Sequence, residues 1–266
     1  MIPRQVLKMS PNLILHDLRE RRVGILVIGF SLGVLSFFAL AMSVPMADML
    51  NSITDNLTPA LEAFLGGEAP GGYVVGEVFN LIAPIAIVAY AISVGASILA
   101  GEEQTKTMSL LSAQPISRLS IFTAKAVVLI LALLGAVVLF WAGLALGVWL
   151  IDVDATLTEV TAGSVHLFFL GLAFGGLSFG VAAATGQSLW ATSIVGTIAV
   201  VTYFMNAMLP LAGFDAAAKI SPWYYYLGSD PLNNGIDAGH LLVLAAIAAV
   251  GFAVSAWAFP RRDLKG

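Results

Sequence analysis

Six stretches of this chain are long, apolar and free of Asp, Glu, Lys and Arg: 23–44, 79–100, 126–151, 165–184, 189–211 and 241–259. A helix needs about 20 apolar residues to cross the hydrocarbon core of a bilayer. Inside that core every backbone N–H and C=O must find its partner within the protein, so apolar segments of this length cross as helices. The stretches dictate an all-α polytopic membrane protein with six transmembrane helices. Residues 185–188 are all that separates the fourth and fifth stretches, and a hairpin that does not fully cross is an alternative for that pair.

Composition agrees. The chain has 266 residues, 59% hydrophobic and 11% charged, where a soluble domain has about a quarter charged. That excludes a soluble enzyme, a nucleic-acid binder and a disordered tail. The absence of cysteine removes disulfides, zinc–thiolate sites and thiol nucleophiles.

The placement of charge gives the orientation. Arg4, Lys8, Arg19, Arg21 and Arg22 precede the first stretch; Lys106, Arg118 and Lys125 lie between the second and third; Arg261, Arg262 and Lys265 follow the sixth. Only Lys219 falls in the other set of loops, so eleven of 12 basic residues share one side. The positive-inside rule puts that side, with both termini, in the cytoplasm, and the chain in the cell membrane. Leu13, Ile14 and Leu18 recur at helical spacing among Asp17, Arg19, Arg21 and Arg22, the pattern of a helix lying in the interface plane. Residues 1–22 thus read as an interfacial helix, 23–259 as the six-helix domain and 260–266 as a basic cytoplasmic tail. Ala39-Leu40-Ala41 resembles a signal-peptide cleavage site, but the basic leader and the apolar stretch are both long for a signal.

Several chemistries fail on inspection. With no Asp, Glu, Lys or Arg inside the stretches, a proton- or sodium-driven mechanism has no carrier; His166 and His240 fall at the outer ends and read as wet interfacial residues. A phosphate-binding loop needs a Gly-rich turn before Lys-Ser/Thr. Lys106-Thr107 is preceded by Gly101-Glu102-Glu103-Gln104-Thr105, where the second glycine is missing and two carboxylates replace it. Gly176-Leu177-Ser178-Phe179-Gly180 matches GxSxG, and an intramembrane serine protease is an alternative reading. However, Ser178 lies about 13 residues down its helix, about 20 Å deeper than His240, while a nucleophile and its base must come within about 3 Å. Gly171, Gly175, Gly176 and Gly180 read instead as a smooth face for close helix packing, with Gly29/Gly33 and Gly143/Gly147 as further GxxxG pairs.

What remains is the loop at 101–125. Thr107 to Leu111 can form a short helix in the interface plane, and Pro115 ends it. A short helix carrying Glu102, Glu103, Leu110 and Leu111 suits a groove on a soluble partner. Acidic residues, then Thr, then Leu-Leu-Ser-x-Pro-x-Ser-Arg, then Lys resembles the type-2 ABC transporter permeases, the exporter-type integral membrane subunits. The resemblance continues at Ile220-Ser221-Pro222-Trp223-Tyr224-Tyr225, at Pro231-Leu232-Asn233-Asn234-Gly235 and at Phe259-Pro260-Arg261-Arg262-Asp263-Leu264. Lys106 departs from it, standing where that family often has Gly.

The resemblance implies a six-helix permease subunit of an ATP-driven exporter. It implies pairing with a second permease, as a homo- or heterodimer, and recruitment of two copies of an ABC ATPase. This chain would carry no cofactor; ATP and Mg would be bound by the partner ATPase. Glu102, Glu103, Thr107, Leu110, Leu111, Pro115 and Arg118 would form the coupling helix against that ATPase. Ser221, Pro222, Trp223, Tyr224, Tyr225 and Tyr226 would belong to re-entrant helices of an outer gate within 212–239. From the residues alone, those aromatic rings read equally well as an interfacial belt. The cargo would be amphipathic or hydrophobic, such as a drug, lipid or peptide, with membrane lipid around the bundle and no nucleic acid as partner. A non-transporting membrane assembly or immunity factor is a further alternative.

Overall fold

The computed structural model describes residues 11–54, 72–104, 118–153 and 155–261. Among them every regular element is helical. Helix α1 spans Pro11–Thr54; α2 (Gly72–Glu77) and a π-helical turn (Val78–Ile82) lead into α3 (Ala83–Gln104); α4 spans Arg118–Leu150, α5 Leu157–Thr185 and α6 Ser188–Met208. A 3-10 turn (Pro210–Ala212) and the short helices α7 (Asp215–Ala218), α8 (Tyr224–Leu227) and α9 (Pro231–Asn234) precede α10 (Ala238–Arg261). Among the described residues six segments are long and apolar enough to cross a membrane.

Helices α5 and α6 have 29 and 21 residues, about 43 and 31 Å at 1.5 Å per residue. Each has the length to cross. Their turn is sharp because Gly186 takes a left-handed conformation at φ 69°, which costs glycine nothing. Helix α5 starts on a capping box: Thr156 Oγ1 accepts the Glu159 N–H, and Glu159 Oε2 accepts the Thr156 N–H. That arrangement satisfies two otherwise orphaned donors.

Helix α1 runs without a break across residue 22, as one continuous helix of 44 residues, about 66 Å long. Residues 12–44 contain no proline, so nothing stops the interfacial segment from running into the first span.

The helices alternate in direction. At the end where α1 begins and α10 finishes, Ile14 and Leu18 pack with Val94, Ile98, Phe122, Phe179 and Phe259. This is the termini end; the opposite is the loop end. Helix α5 is the centre, packed against α3 and α10, and α1 lies mainly on α4. The seams are made by glycine. A β-carbon on Gly176 would come 2.9 Å from the Ala248 carbonyl oxygen, and one on Gly180 would come 2.7 Å from that of Gly251. Gly171 and Gly175 face α3 and α4 through Ile87, Leu133, Ala91 and Leu129. Across the α1–α4 seam Gly33 meets Gly143, and Gly29 faces the Ala136 carbonyl. Without a hydrophobic force between helices in lipid, such backbone-to-backbone approach supplies the contact that holds them together.

Candidate functional site

The loop-end segment is built from short helices because its sequence interrupts itself. Gly213 and Gly235 take positive φ, and Asp230, at φ 47°, is the one non-glycine residue among the described residues to do so. Within this segment Ser221–Tyr226 turns into the bundle. Ser221 is fully buried: its hydroxyl donates to the Thr202 carbonyl at 2.8 Å and accepts the Trp223 backbone N–H at 3.1 Å. Trp223 donates its indole N–H to the Ala199 carbonyl at 3.0 Å, and its ring packs against Tyr203 and Phe174. Pro222, Trp223 and Tyr226 are buried, while Tyr224 and Tyr225 are half-buried around the His240 ring. Trp223 and Tyr226 therefore face the protein and not the lipid, unlike the rings of an interfacial belt.

Tyr226 is joined to the second span by a chain of causes that starts at Pro84. A proline has no N–H to give, and its ring crowds the preceding turn. Upstream of it the helix widens to the π-turn, in which the Ala83 N–H reaches back to the Val78 carbonyl. The Phe79 carbonyl has then lost its usual donor, Ala83, to Val78, and residue 84 cannot replace it. The Tyr226 hydroxyl donates to that carbonyl at 2.6 Å. Burial pushes the Tyr226 phenol far above its ordinary pKa, so it remains a donor at any physiological pH. π-Turns are frequent at functional positions.

Beside Trp223 an apolar groove of about 510 Å³ opens between α3 and α6, lined by Leu81, Val88, Ile92, Ala199, Tyr203 and Phe204 among others. Its walls offer almost no polar atoms, so it suits an apolar guest.

The two outer histidines differ from the wet surface residues expected. His166 is completely buried. Its Nδ1 lies 3.0 Å from the Ala162 carbonyl; a carbonyl only accepts, so Nδ1 carries the proton and Nε2 is the acceptor. Nε2 receives the Asp237 backbone N–H at 3.4 Å and faces the Ser229 hydroxyl at 3.5 Å. His240 is half-buried, and its Nδ1 has no hydrogen-bond partner among the described residues. The His240 backbone N–H donates to Asp237 Oδ1 at 3.0 Å. That bond, opposed by some desolvation and helped by the nearby His240 and His166 rings, holds the Asp237 carboxyl below its ordinary range.

Ser178 is also fully buried, and its hydroxyl donates to the Ile92 carbonyl of α3 at 2.8 Å. His240 is held elsewhere, between Tyr224 and Tyr225. Ser178 is thus a hydrogen-bonded packing residue, with no base at its hydroxyl among the described residues.

At the termini end, Glu102 and Glu103 lie in the last turn of α3 and Arg118 opens α4. Thr107, Leu110, Leu111 and Pro115 fall outside the described residues. Sequence reasoning missed the strongest electrostatic feature here. Lys125 Nζ meets Asp17 Oδ2 at 2.6 Å, and the two side chains are 1% and 5% exposed. One turn further along α1, Arg21 donates to the Ser97 hydroxyl of α3 at 3.0 Å. Lys125 lies on the side of α4 that also carries the buried Ile121, Phe122, Val128 and Leu129. The signal was in the spacing: Asp17 and Arg21 follow Ile14 by three and seven residues and share its inward face. His16, Asp17 and Glu20 place a nitrogen and two carboxylate oxygens within 4.8 Å of one another, but Asp17 already holds Lys125 and the other two are exposed.

A comparison with curated proteins gives no match. The family model of the ABC-2 family transporter proteins matches residues 12–264. With the six membrane-length helices, that near-complete match identifies the chain as a multi-pass membrane protein belonging to the ABC-2 transporter permeases, membrane transport subunits that are not themselves catalytic.

Proposed function

We propose that this chain is the permease subunit of an ATP-driven exporter of amphipathic or hydrophobic compounds. The observation that carries the reading is the family match across residues 12–264. In this reading two copies of an ABC ATPase bind ATP and Mg and dock on this chain through Glu102, Glu103, Thr107, Leu110, Leu111, Pro115 and Arg118. Two permeases pair, identical or not, and the path runs between them. Nucleotide binding in the ATPases shifts the pair between inward- and outward-facing states. The weight of basic residues on one side supports cytoplasmic termini in the cell membrane.

Three features support this assignment of roles. The buried acid and base, Asp17 and Lys125, neutralise each other, so neither is available to carry an ion, which supports an energy source outside this chain. The groove beside Trp223 supports an apolar cargo. The inward packing of Ser221–Tyr226 supports a gate at the loop end, where motion of these residues would open or shut the bundle. Co-purification of the chain with its cognate ATPase in detergent, with ATPase rates measured, tests the reading. Glu102→Ala combined with Glu103→Ala is expected to weaken association and stimulation together. Unchanged association and unchanged rates would overturn the coupling assignment.

A further inference from the structure

At the termini end, α1 is tied to two helices by polar contacts one turn apart. Asp17 grips Lys125 on α4 at 2.6 Å. Arg21 grips Ser97 on α3 at 3.0 Å. These are the two helices that border residues 105–117: α3 ends at Gln104 and α4 begins at Arg118. We propose that Asp17, Lys125, Arg21 and Ser97 form a clamp of positioning residues, which makes α1 follow any displacement of the 105–117 segment. The proposal deepens the exporter reading and rests on it.

The physical argument compares the two kinds of contact along α1. A buried charge pair is directional, and separating it strands two charges in a medium of low dielectric, so its geometry is held stiffly. The pair's side chains are 1% and 5% exposed, at the end of the bundle where Ile14, Leu18, Val94, Phe122 and Val128 form an apolar cluster. Further along, α1 touches α4 through the bare backbones of Gly29, Gly33 and Gly143. Those contacts are van der Waals packing and not charge pairing, so they resist a small tilt less stiffly than the ion pair does. Beside them an apolar groove of about 460 Å³ opens along the α1–α4 seam, lined by Phe30, Phe37, Leu139 and Leu146 among others. A stiff polar anchor at one end, followed by a seam of small residues, is the construction of a lever. When α3 and α4 shift at their termini ends, the clamp transmits that shift to α1, and the less stiff seam lets its far end tilt.

The chain has no cysteine, so it can be spin-labelled at introduced cysteines alone before it is assembled with the ATPase. The test uses Met42→Cys on α1 and Trp149→Cys on α4, both exposed near the loop end. The full chain is assembled with its cognate ATPase in phosphatidylethanolamine/phosphatidylglycerol nanodiscs. Double electron–electron resonance then compares the nucleotide-free complex with the complex trapped by ATP and vanadate. The label distance is expected to change on trapping in the parent protein. Neutralising both partners (Asp17→Asn with Lys125→Gln) is expected to abolish that change while co-purification and basal ATPase rate persist. Exchanging the charges (Asp17→Lys with Lys125→Asp) is expected to restore it, which a mere folding brace would not require. Ser97→Ala, a milder change, is expected to reduce the response and serves if the charge variants fail to assemble. A full response in an assembled neutral variant, or in Ser97→Ala where that is the variant available, overturns the clamp alone. A parent complex that forms but shows no trapping response also overturns the clamp alone. A parent chain that binds no ATPase overturns the exporter reading with it.

Discussion

Tyr226→Phe isolates a single hydrogen bond whose value follows from the structure. The hydroxyl is buried, 2.6 Å from the Phe79 carbonyl, and the ring is 1% exposed, so phenylalanine fits without leaving a cavity. What is lost is the partner of a carbonyl that the helix cannot satisfy, since Ala83 donates to Val78 and residue 84 is proline. A buried acceptor left unpaired costs about 1–3 kcal/mol. For a chain of this size that is a fall in melting temperature of roughly 2–10 °C. The assay is thermal unfolding in detergent micelles, followed by tryptophan fluorescence, with Tyr225→Phe as the control from the same helix. A second arm makes the reasoning specific. Pro84→Ala restores the missing N–H, so α3 can wind regularly and satisfy Phe79 itself. In that background Tyr226→Phe is expected to cost much less, a coupling that a double-mutant cycle measures. If Tyr226→Phe costs the same with or without Pro84, the link between proline, π-turn and tyrosine is refuted, whatever the size of the single effect.

Other expectations follow from the same contacts. Gly251→Ala would push a methyl group into the Gly176 backbone and is expected to destabilise the bundle by about 1–3 kcal/mol, read as lower yield of monodisperse protein and a lower melting temperature. Gly196→Ala, with nothing within 4 Å of the new carbon, is expected to be neutral or stabilising by up to about 1 kcal/mol in the same melt. Ser178→Ala removes one hydrogen bond and is expected to cost about 1 kcal/mol while stimulation of the partner ATPase persists; loss of a proteolytic activity in that variant would revive the hydrolase reading. Asp237 has a depressed pKa, so its contribution is present above the unfolded value of about 4 and is lost as pH falls through the lower folded value. Asp237→Asn should therefore narrow the difference in melting temperature between pH 7 and strongly acidic solution, and an unchanged difference would contradict that assignment.

The spans were legible because apolar length alone decides whether a helix crosses a bilayer. The glycines were legible as packing residues, though the sequence did not say that α5 uses two faces, Gly171 and Gly175 toward α3 and α4, Gly176 and Gly180 toward α10. What could not be read from hydropathy lay at the ends of the spans. A window begun at Val23 excludes Asp17, and one begun at Ala126 excludes Lys125, yet both helices continue outward and bury that pair. The pairing joins residues 108 positions apart, a separation no local pattern encodes. His166 read as wet because it stands at the edge of its stretch; the segment around Ser229 and Asp237 folds back over it. Pro84 was the one local signal of the π-turn, since a proline within an apolar stretch forces the preceding turn to find other partners.

These placements give the bundle two unlike ends and bear on how it can move. At the loop end Ser221, Trp223 and Tyr226 each donate to a backbone carbonyl of another helix or turn, and their rings fill the space between α5, α6 and the π-turn. Such contacts are many and individually modest, so they can be exchanged one at a time. At the termini end the decisive contact is one buried ion pair, which is either made or broken and costs several kcal/mol to break. Between them the glycine seams hold α1 close to α4 and α5 close to α10 by van der Waals packing. A chain built this way resists separation of its helices at the termini end and admits rearrangement at the loop end. That is the distribution of stiffness required if force enters where the basic residues gather and a gate yields at the far side.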